Sequence, residues 1–92
     1  MTVKETTHQV VLRYFAWLRE KTGISEERLT LTPEILTVAD LLRWQASRGA
    51  PFDLAFAKPE AIRVALDRAH AKPGAPITGA TEIAFFPPVT GG

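Results

Sequence analysis

The sequence predicts a two-layer α+β domain in which one helix packs across a single sheet. Three observations carry that prediction. The chain opens with two strand-like segments joined by a turn, continues with one capped amphipathic helix, and then returns to strand-like segments separated by turns of proline and glycine. One helix has one apolar stripe to bury, and one sheet face is enough to bury it. At 92 residues the chain is sized for a single domain.

Residues 10–17 are rich in β-branched and aromatic side chains and read as the first strand. Alternation puts Val10, Leu12, Tyr14 and Ala16 on one face and Val11, Arg13, Phe15 and Trp17 on the other. Thr22-Gly23 signals a turn, after which residues 28–31 form a second strand with Leu29 and Leu31 inward. Thr37 then starts a helix over residues 38–48. Its hydroxyl caps the first turn, and Asp40, three residues on, completes a capping-box-like pair that suits the positive helix end. Val38, Leu41, Leu42, Gln45 and Ala46 share one stripe, with Arg43 and Ser47 opposite, and Gly49 can close the helix in the left-handed conformation. Residues 50–59 are ambiguous, with room for a single further helical turn. Residues 62–67 form the next strand, with Ile62, Val64 and Leu66 inward and Arg63 outward. Lys72-Pro73-Gly74-Ala75-Pro76 is a turn, and residues 82–86 are the last strand, with Ile83 and Phe85 on one face and Ala84 and Phe86 on the other.

Composition narrows the function. No apolar run approaches the ~20 residues of a membrane span. The first eight residues have neither the apolar core nor the cleavage signal of a secretory leader, so no membrane partner is expected and the cytoplasm is the expected address. The absence of cysteine removes disulfides, thiolate metal sites and a cysteine nucleophile together. His8 and His70 are too few and too separated for a metal site, so no metal is expected. Ser25 and Ser47 have no evident base or orienting partner. Eleven Lys and Arg nearly balance ten Asp and Glu, with no basic cluster, so no nucleic-acid partner is expected either.

The chemistry concentrates in the segment after the last strand, Pro87-Pro88-Val89-Thr90-Gly91-Gly92. Pro87 and Pro88 cannot donate ladder hydrogen bonds, so the sheet ends there in an extended, polyproline-like exit. Fully extended, residues 87–92 reach about 20 Å at most, enough to carry the terminus into a partner's buried site. Two glycines without Cβ let the backbone pass a narrow channel and approach a ligand closely. The reactive group is then the α-carboxylate of Gly92. It is ionised at neutral pH and a poor electrophile, so acyl chemistry there needs prior activation. The chain has neither a phosphate-binding loop nor a cysteine to supply it, which makes it a substrate or carrier for other enzymes. The bland alternative is a frayed end that happens to be glycine. Two consecutive glycines there arise by chance in roughly 0.5% of chains, and the strand and Pro-Pro exit before them strengthen the functional reading.

Val64-Ala65-Leu66-Asp67 together with Ile83-Ala84-Phe85-Phe86-Pro87-Pro88-Val89-Thr90-Gly91-Gly92 resembles the C-terminal half of molybdopterin synthase small subunits, a family of ubiquitin-like sulfur carriers. Leu12-Arg13-Tyr14-Phe15-Ala16-Trp17-Leu18-Arg19-Glu20 resembles their first strand and following turn. The resemblance implies a β-grasp (ubiquitin-like) domain over residues 1–86, with a mixed sheet and one main helix, and a flexible tail over residues 87–92. It implies a sulfur-donor subunit that is no enzyme on its own and binds no cofactor. An E1-like adenylating enzyme would use ATP to activate the carboxyl of Gly92, and a sulfur donor protein would convert it to a thiocarboxylate. The tail, inserted into the large catalytic subunit of a heterotetramer, would then give sulfur to cyclic pyranopterin monophosphate. The chain departs from the family in two places: Asp67 stands where asparagine is common, and Thr78-Gly79-Ala80-Thr81 replaces an acidic turn.

Phe15 shares a face with Arg13, and Phe86 shares one with Ala84 and Glu82. If charge marks the solvent side, two phenylalanines are exposed on one sheet face, as an interaction surface requires; otherwise a loop covers one of them. The resemblance implies that both positions contact partner enzymes. Arg63, Arg68 and Lys72 either form a basic rim to that surface or are ordinary solvated charges. Trp44 borders the helix stripe, and Trp17 is placed to close the end of the core. Three other functions share parts of this pattern: a sulfur carrier of a thiamine-type pathway, a ubiquitin-like modifier of protein lysines, and a binding module with an incidental tail.

Overall fold

Alternation in β1 (His8–Tyr14) sets the sheet: Val10, Leu12 and Tyr14 are buried, while Gln9, Val11 and Arg13 turn away from the core. The computed structural model describes residues 8–88. After β1 come α1 (Trp17–Thr22), β2 (Glu26–Leu31), α2 (Val38–Ala46), α3 (Phe52–Ala55), a 3₁₀ turn at Pro59–Ala61, β3 (Arg63–Leu66), β4 (Ala69–Ala71) and β5 (Glu82–Phe86). The five strands lie in the order β2-β1-β5-β3-β4, with β1 and β5 parallel and the other neighbours antiparallel. The sheet is therefore mixed, and β5 is its middle strand.

The core lies between the sheet and α2. Leu12, Tyr14, Leu31, Val64, Ile83 and Phe85 from the strands meet Val38, Leu41 and Leu42 of the helix. Phe56, just past α3, stands edge-on to Tyr14 and Phe85, with ring centroids 6.3 and 5.3 Å away, while Tyr14 and Phe85 stack at 5.5 Å. Such ring pairs add about 0.5–1.5 kcal/mol each beyond area burial. The start of α2 is a full capping box: Thr37 Oγ1 accepts from the Asp40 N–H at 3.1 Å, and Asp40 Oδ2 accepts from the Thr37 N–H at 3.1 Å. Gly49, at φ 88°, adopts the left-handed conformation just past its end.

A polar cluster is built into one end of this core. The Tyr14 hydroxyl donates to Glu27 Oε1 at 2.8 Å and accepts from Gln45 Nε2 at 2.8 Å. Arg48 forks onto both Glu27 oxygens at 2.9 and 2.7 Å and also donates to Gln45 Oε1 at 2.8 Å. Its guanidinium lies 3.9 Å from the Phe52 ring centroid and 4.6 Å from that of Trp44. The Arg48 hydrogen bonds are the main reason the Glu27 carboxyl is held below the usual glutamate range, and burial raises the Tyr14 hydroxyl far above its ordinary value. One cluster thereby ties β1, β2, α2 and α3 together.

Four local expectations are corrected. The first strand ends at Tyr14 rather than at residue 17: Ala16 is exposed at φ 57°, ψ −133°, and Trp17 opens α1. That backbone region disfavours a residue with a Cβ, and it breaks the strand so that Trp17 packs half-buried against the core. Thr22-Gly23 is accordingly the end of a helix, with Gly23 as its left-handed cap at φ 80°. The main helix stops at Ala46, with Ser47 as its cap, and not at residue 48. The segment after residue 66 turns back as β4, through a two-residue loop with Asp67 at φ 49° and Arg68 at φ 74°. Two left-handed residues make this the turn whose twist matches a hairpin. Glycine usually marks such a turn, and here there is none.

Candidate functional site

The face of the sheet opposite α2 carries the sequence's candidate contact residues. On β5, Glu82, Ala84 and Phe86 point to this side, because Ile83 and Phe85 are committed to the core. Register does the rest. Arg13 pairs with Ala84 from one side, and Ala65 pairs with Ala84 and Arg63 with Phe86 from the other. The Phe15 N–H donates to the Phe85 carbonyl at 3.1 Å, one step past the Tyr14–Phe85 pair, which sets Phe15 at the same end of the sheet as Phe86. Phe15 is 43% exposed. Phe86 is half-buried, and the His70 ring meets it edge-on, centroids 5.3 Å apart.

Phe15, Phe86, Arg63 and Arg68 therefore share one open face. Arg63 is exposed beside Phe86, and Arg68, in the β3–β4 turn, reaches within 3.8 Å of Glu82. Lys72 is exposed beyond β4. Pro87 and Pro88 follow β5 directly and are half-buried. Val89, Thr90, Gly91 and Gly92, the rest of the expected tail, lie outside the described residues, as do residues 1–7.

Three participants escaped the sequence reading. Arg13 Nη1 donates to Glu82 Oε2 at 2.9 Å, and the Arg13 guanidinium carbon lies 5.7 Å from the Phe15 ring centroid. His70 reaches the face because β4 pairs it with Ala65. Outward alternation marked Arg13 and Glu82 as surface residues, but only the parallel pairing of β1 with β5 brings them together. Asp67 has a positional role as well. Its Oδ1 accepts from the Glu82 N–H at 2.9 Å, the Thr81 hydroxyl at 2.9 Å and the Thr81 N–H at 3.0 Å, which holds its carboxyl below the usual aspartate range. The turn carrying Arg68 is thus pinned to the start of β5.

Among the described residues no group of three or more His, Asp or Glu side chains is placed to hold a metal, and no helix is long and apolar enough to cross a membrane. A hollow of about 560 Å³ lies on the helix side, between α2 and β3, and is lined mainly by apolar side chains such as Val38, Leu42, Phe56 and Ile62.

Comparison with known proteins agrees with this geometry. The ThiS family model matches residues 12–92. Among solved structures, SAMP1 from Haloferax volcanii is 25% identical, with a TM-score of 0.66 over 91% of this chain and 99% of its own. Two further structures share the fold. A Pyrococcus furiosus protein provisionally assigned as molybdopterin converting factor, subunit 1, is 21% identical, with a TM-score of 0.64 over 89% of this chain and 99% of its own. The Haloferax volcanii HVO 2177 protein is 23% identical, with a TM-score of 0.71 over 100% of this chain and 93% of its own. No curated protein matches the sequence significantly. The five-stranded mixed sheet with its crossing helix is a β-grasp, and the match over nearly the whole chain shows that it belongs to the ThiS family of ubiquitin-like sulfur carriers.

Proposed function

We propose that the chain is the sulfur-carrying small subunit of a cytoplasmic molybdopterin synthase, with the Gly92 carboxyl as the group that is adenylated, converted to thiocarboxylate and used as sulfur donor. The observation that carries the reading is the placement of β5. This middle strand leads into Pro87-Pro88 at the end of the sheet where Phe15 and Phe86 lie on the open face. A partner seated on that face meets the exit of the tail at the same time. The run Phe85-Phe86-Pro87-Pro88 favours the molybdopterin branch over a thiamine-type carrier.

Each chemical step follows from the weakness of a carboxylate as an electrophile. Adenylation by an E1-like enzyme with ATP gives Gly92 a leaving group. Sulfide-level sulfur released by a donor protein attacks the acyl carbon and displaces AMP, and the resulting thiocarboxylate sulfur is a good nucleophile at neutral pH. The large catalytic subunit then supplies the pterin pocket, and this chain supplies reach and sulfur.

Intact-mass analysis after incubation with the adenylating enzyme, ATP and a sulfur source tests the reading. The wild-type chain should gain a thiocarboxylate and support dithiolene formation on the pterin. One residue added after Gly92 should abolish sulfur acquisition with little change in melting temperature, because the former carboxylate becomes an unreactive amide. Deleting Gly92 shortens the reach by about 3.3–3.6 Å and should slow transfer at least about a hundredfold. Wild-type rates in either variant would overturn the C-terminal mechanism. A ladder of lysine conjugates in place of a free thiocarboxylate would make the chain a protein modifier.

A further inference from the structure

The centre of the open face is concave. Arg13, Phe15, Ala65, Arg68, Glu82 and Ala84 line a hollow of about 180 Å³. Its floor is small because Ala65 and Ala84 oppose each other across β3 and β5. Its walls carry two guanidiniums and one carboxylate. Glu82 is held by Arg13 at 2.9 Å and approached by Arg68 only at 3.8 Å, so one positive charge is left over. Arg13 is also incompletely used: among the described residues, its Nε is the buried side-chain polar atom with no hydrogen-bond partner. A planar guanidinium that spends one N–H on Glu82 and leaves Nε idle can still offer a carboxylate two parallel hydrogen bonds after a modest side-chain rotation.

We propose that this hollow receives a carboxylate side chain of the protein partner, inserted between Arg13 and Arg68 beside an apolar residue that packs on Phe15. The inference rests on the docking role of the face given above, and it specifies the partner surface as acidic with an apolar anchor. One incoming carboxylate brings the hollow to two cations and two anions and gives Arg13 Nε an acceptor. A lysine or arginine in the same place would add a third cation and leave Nε idle, so charge selects the partner. Arg63, exposed beside Phe86 and without an ion-pair partner among the described residues, extends the positive rim towards the tail exit.

Titration calorimetry of the full-length chain against its cognate large subunit, at about 0.05 M and about 0.5 M salt, is the test. Arg13→Gln should weaken binding about tenfold or more, and more at low salt than at high salt. Glu82→Gln should have the opposite sign and tighten binding several-fold, because it frees both guanidiniums for the incoming carboxylate. A hollow that takes a cation or a purely apolar side chain gives the reverse for Glu82→Gln, or no effect of either variant, and each result overturns the proposal. Circular dichroism melts establish that both variants are folded, and Arg68→Gln, at an exposed turn position, is the second probe of the same site. Sulfur loading separates this inference from the functional reading. Normal thiocarboxylate formation with charge-indifferent binding overturns only the carboxylate docking, whereas a wild-type chain that neither loads sulfur nor binds overturns both.

Discussion

Arg48 is the residue on which the buried polar cluster depends. Its side chain is 19% exposed and that of Glu27 is 23% exposed, so the pair is only partly screened by water. Removing one member leaves the other charged, half-desolvated and short of hydrogen bonds. Arg48→Ala should therefore cost about 2–4 kcal/mol in urea unfolding, more than an ordinary surface ion pair at ~0.2–1 kcal/mol. Loss of the packing between the Trp44 and Phe52 rings contributes to the same figure. The pH dependence has a definite sign. The folded Glu27 carboxyl is depressed, chiefly by its hydrogen bonds from Arg48, so its stabilisation is complete above the unfolded pKa and is lost as pH falls through the folded one. Stability should decline from about pH 4.3 downwards. Glu27→Gln, already weaker at neutral pH, should show a shallower decline over the same range.

At the level of elements, the β3–β4 hairpin tests how turn chemistry aligns the open face. Asp67 combines a left-handed backbone with three hydrogen bonds to Thr81 and Glu82. Asparagine tolerates the same φ and keeps an oxygen acceptor. Asp67→Asn, which keeps the acceptor and loses only the charge that the depressed carboxyl shows the fold to favour, should lower the melting temperature slightly at neutral pH, while Asp67→Ala, which loses both properties, should lower it further; thermal denaturation monitored by circular dichroism distinguishes them. This hairpin is also where sequence reading fell short. Ala69-His70-Ala71 has weak strand propensity, and Asp67-Arg68 carries no glycine to announce two positive φ values. The helix α1 was hidden for a related reason: Phe15-Ala16-Trp17 continues the β pattern, and only the unusual backbone of Ala16 ends it. By contrast, β2, α2 and β5 were legible because each buries one face at a clean period of two or 3.6 residues, and β3 was legible as a short apolar run although Val64 and Ala65 are both buried. Thr37 and Asp40 marked the start of α2 by local chemistry alone, whereas its end came at Ala46, ahead of Gly49. The cluster of Tyr14, Glu27, Gln45 and Arg48 could not be read, since its members meet only after β1, β2 and α2 have assembled.

For the whole molecule, the sheet divides two tasks between its faces, and β5 serves both. Phe85 and Phe86 are neighbours in sequence but sit on opposite sides, one fully buried and one at the open face. Phe85→Ala should cost about 3–5 kcal/mol and threaten folding, as deletion of a buried ring does. Phe86→Ala should leave the fold largely intact and, under the proposed function, weaken complexes with the adenylating enzyme and the large subunit. Chemical denaturation paired with a binding titration reads both effects. A Phe86→Ala chain that binds both partners normally would remove this face from the docking surface. The candidate site was partly legible for the same reason as the fold: alternation set Phe15, Phe86 and Arg63 outward, while the convergence of Arg13, Arg68 and Glu82 required the strand order.

The central position of β5 also bears on the order of synthesis. On the ribosome, the β1–β2 and β3–β4 hairpins emerge first, each with one edge waiting for the strand that will lie between them. Until residues 82–86 arrive, the two halves share no sheet, and the Arg13 and Ala65 walls of the open face have nothing to join them. A product interrupted before Glu82 would lack the docking face as well as the exit to the tail. Under the proposed function such fragments would be poor decoys for the adenylating enzyme or the large subunit, because the proposed contact surface comes into being only with the strand that leads to the tail.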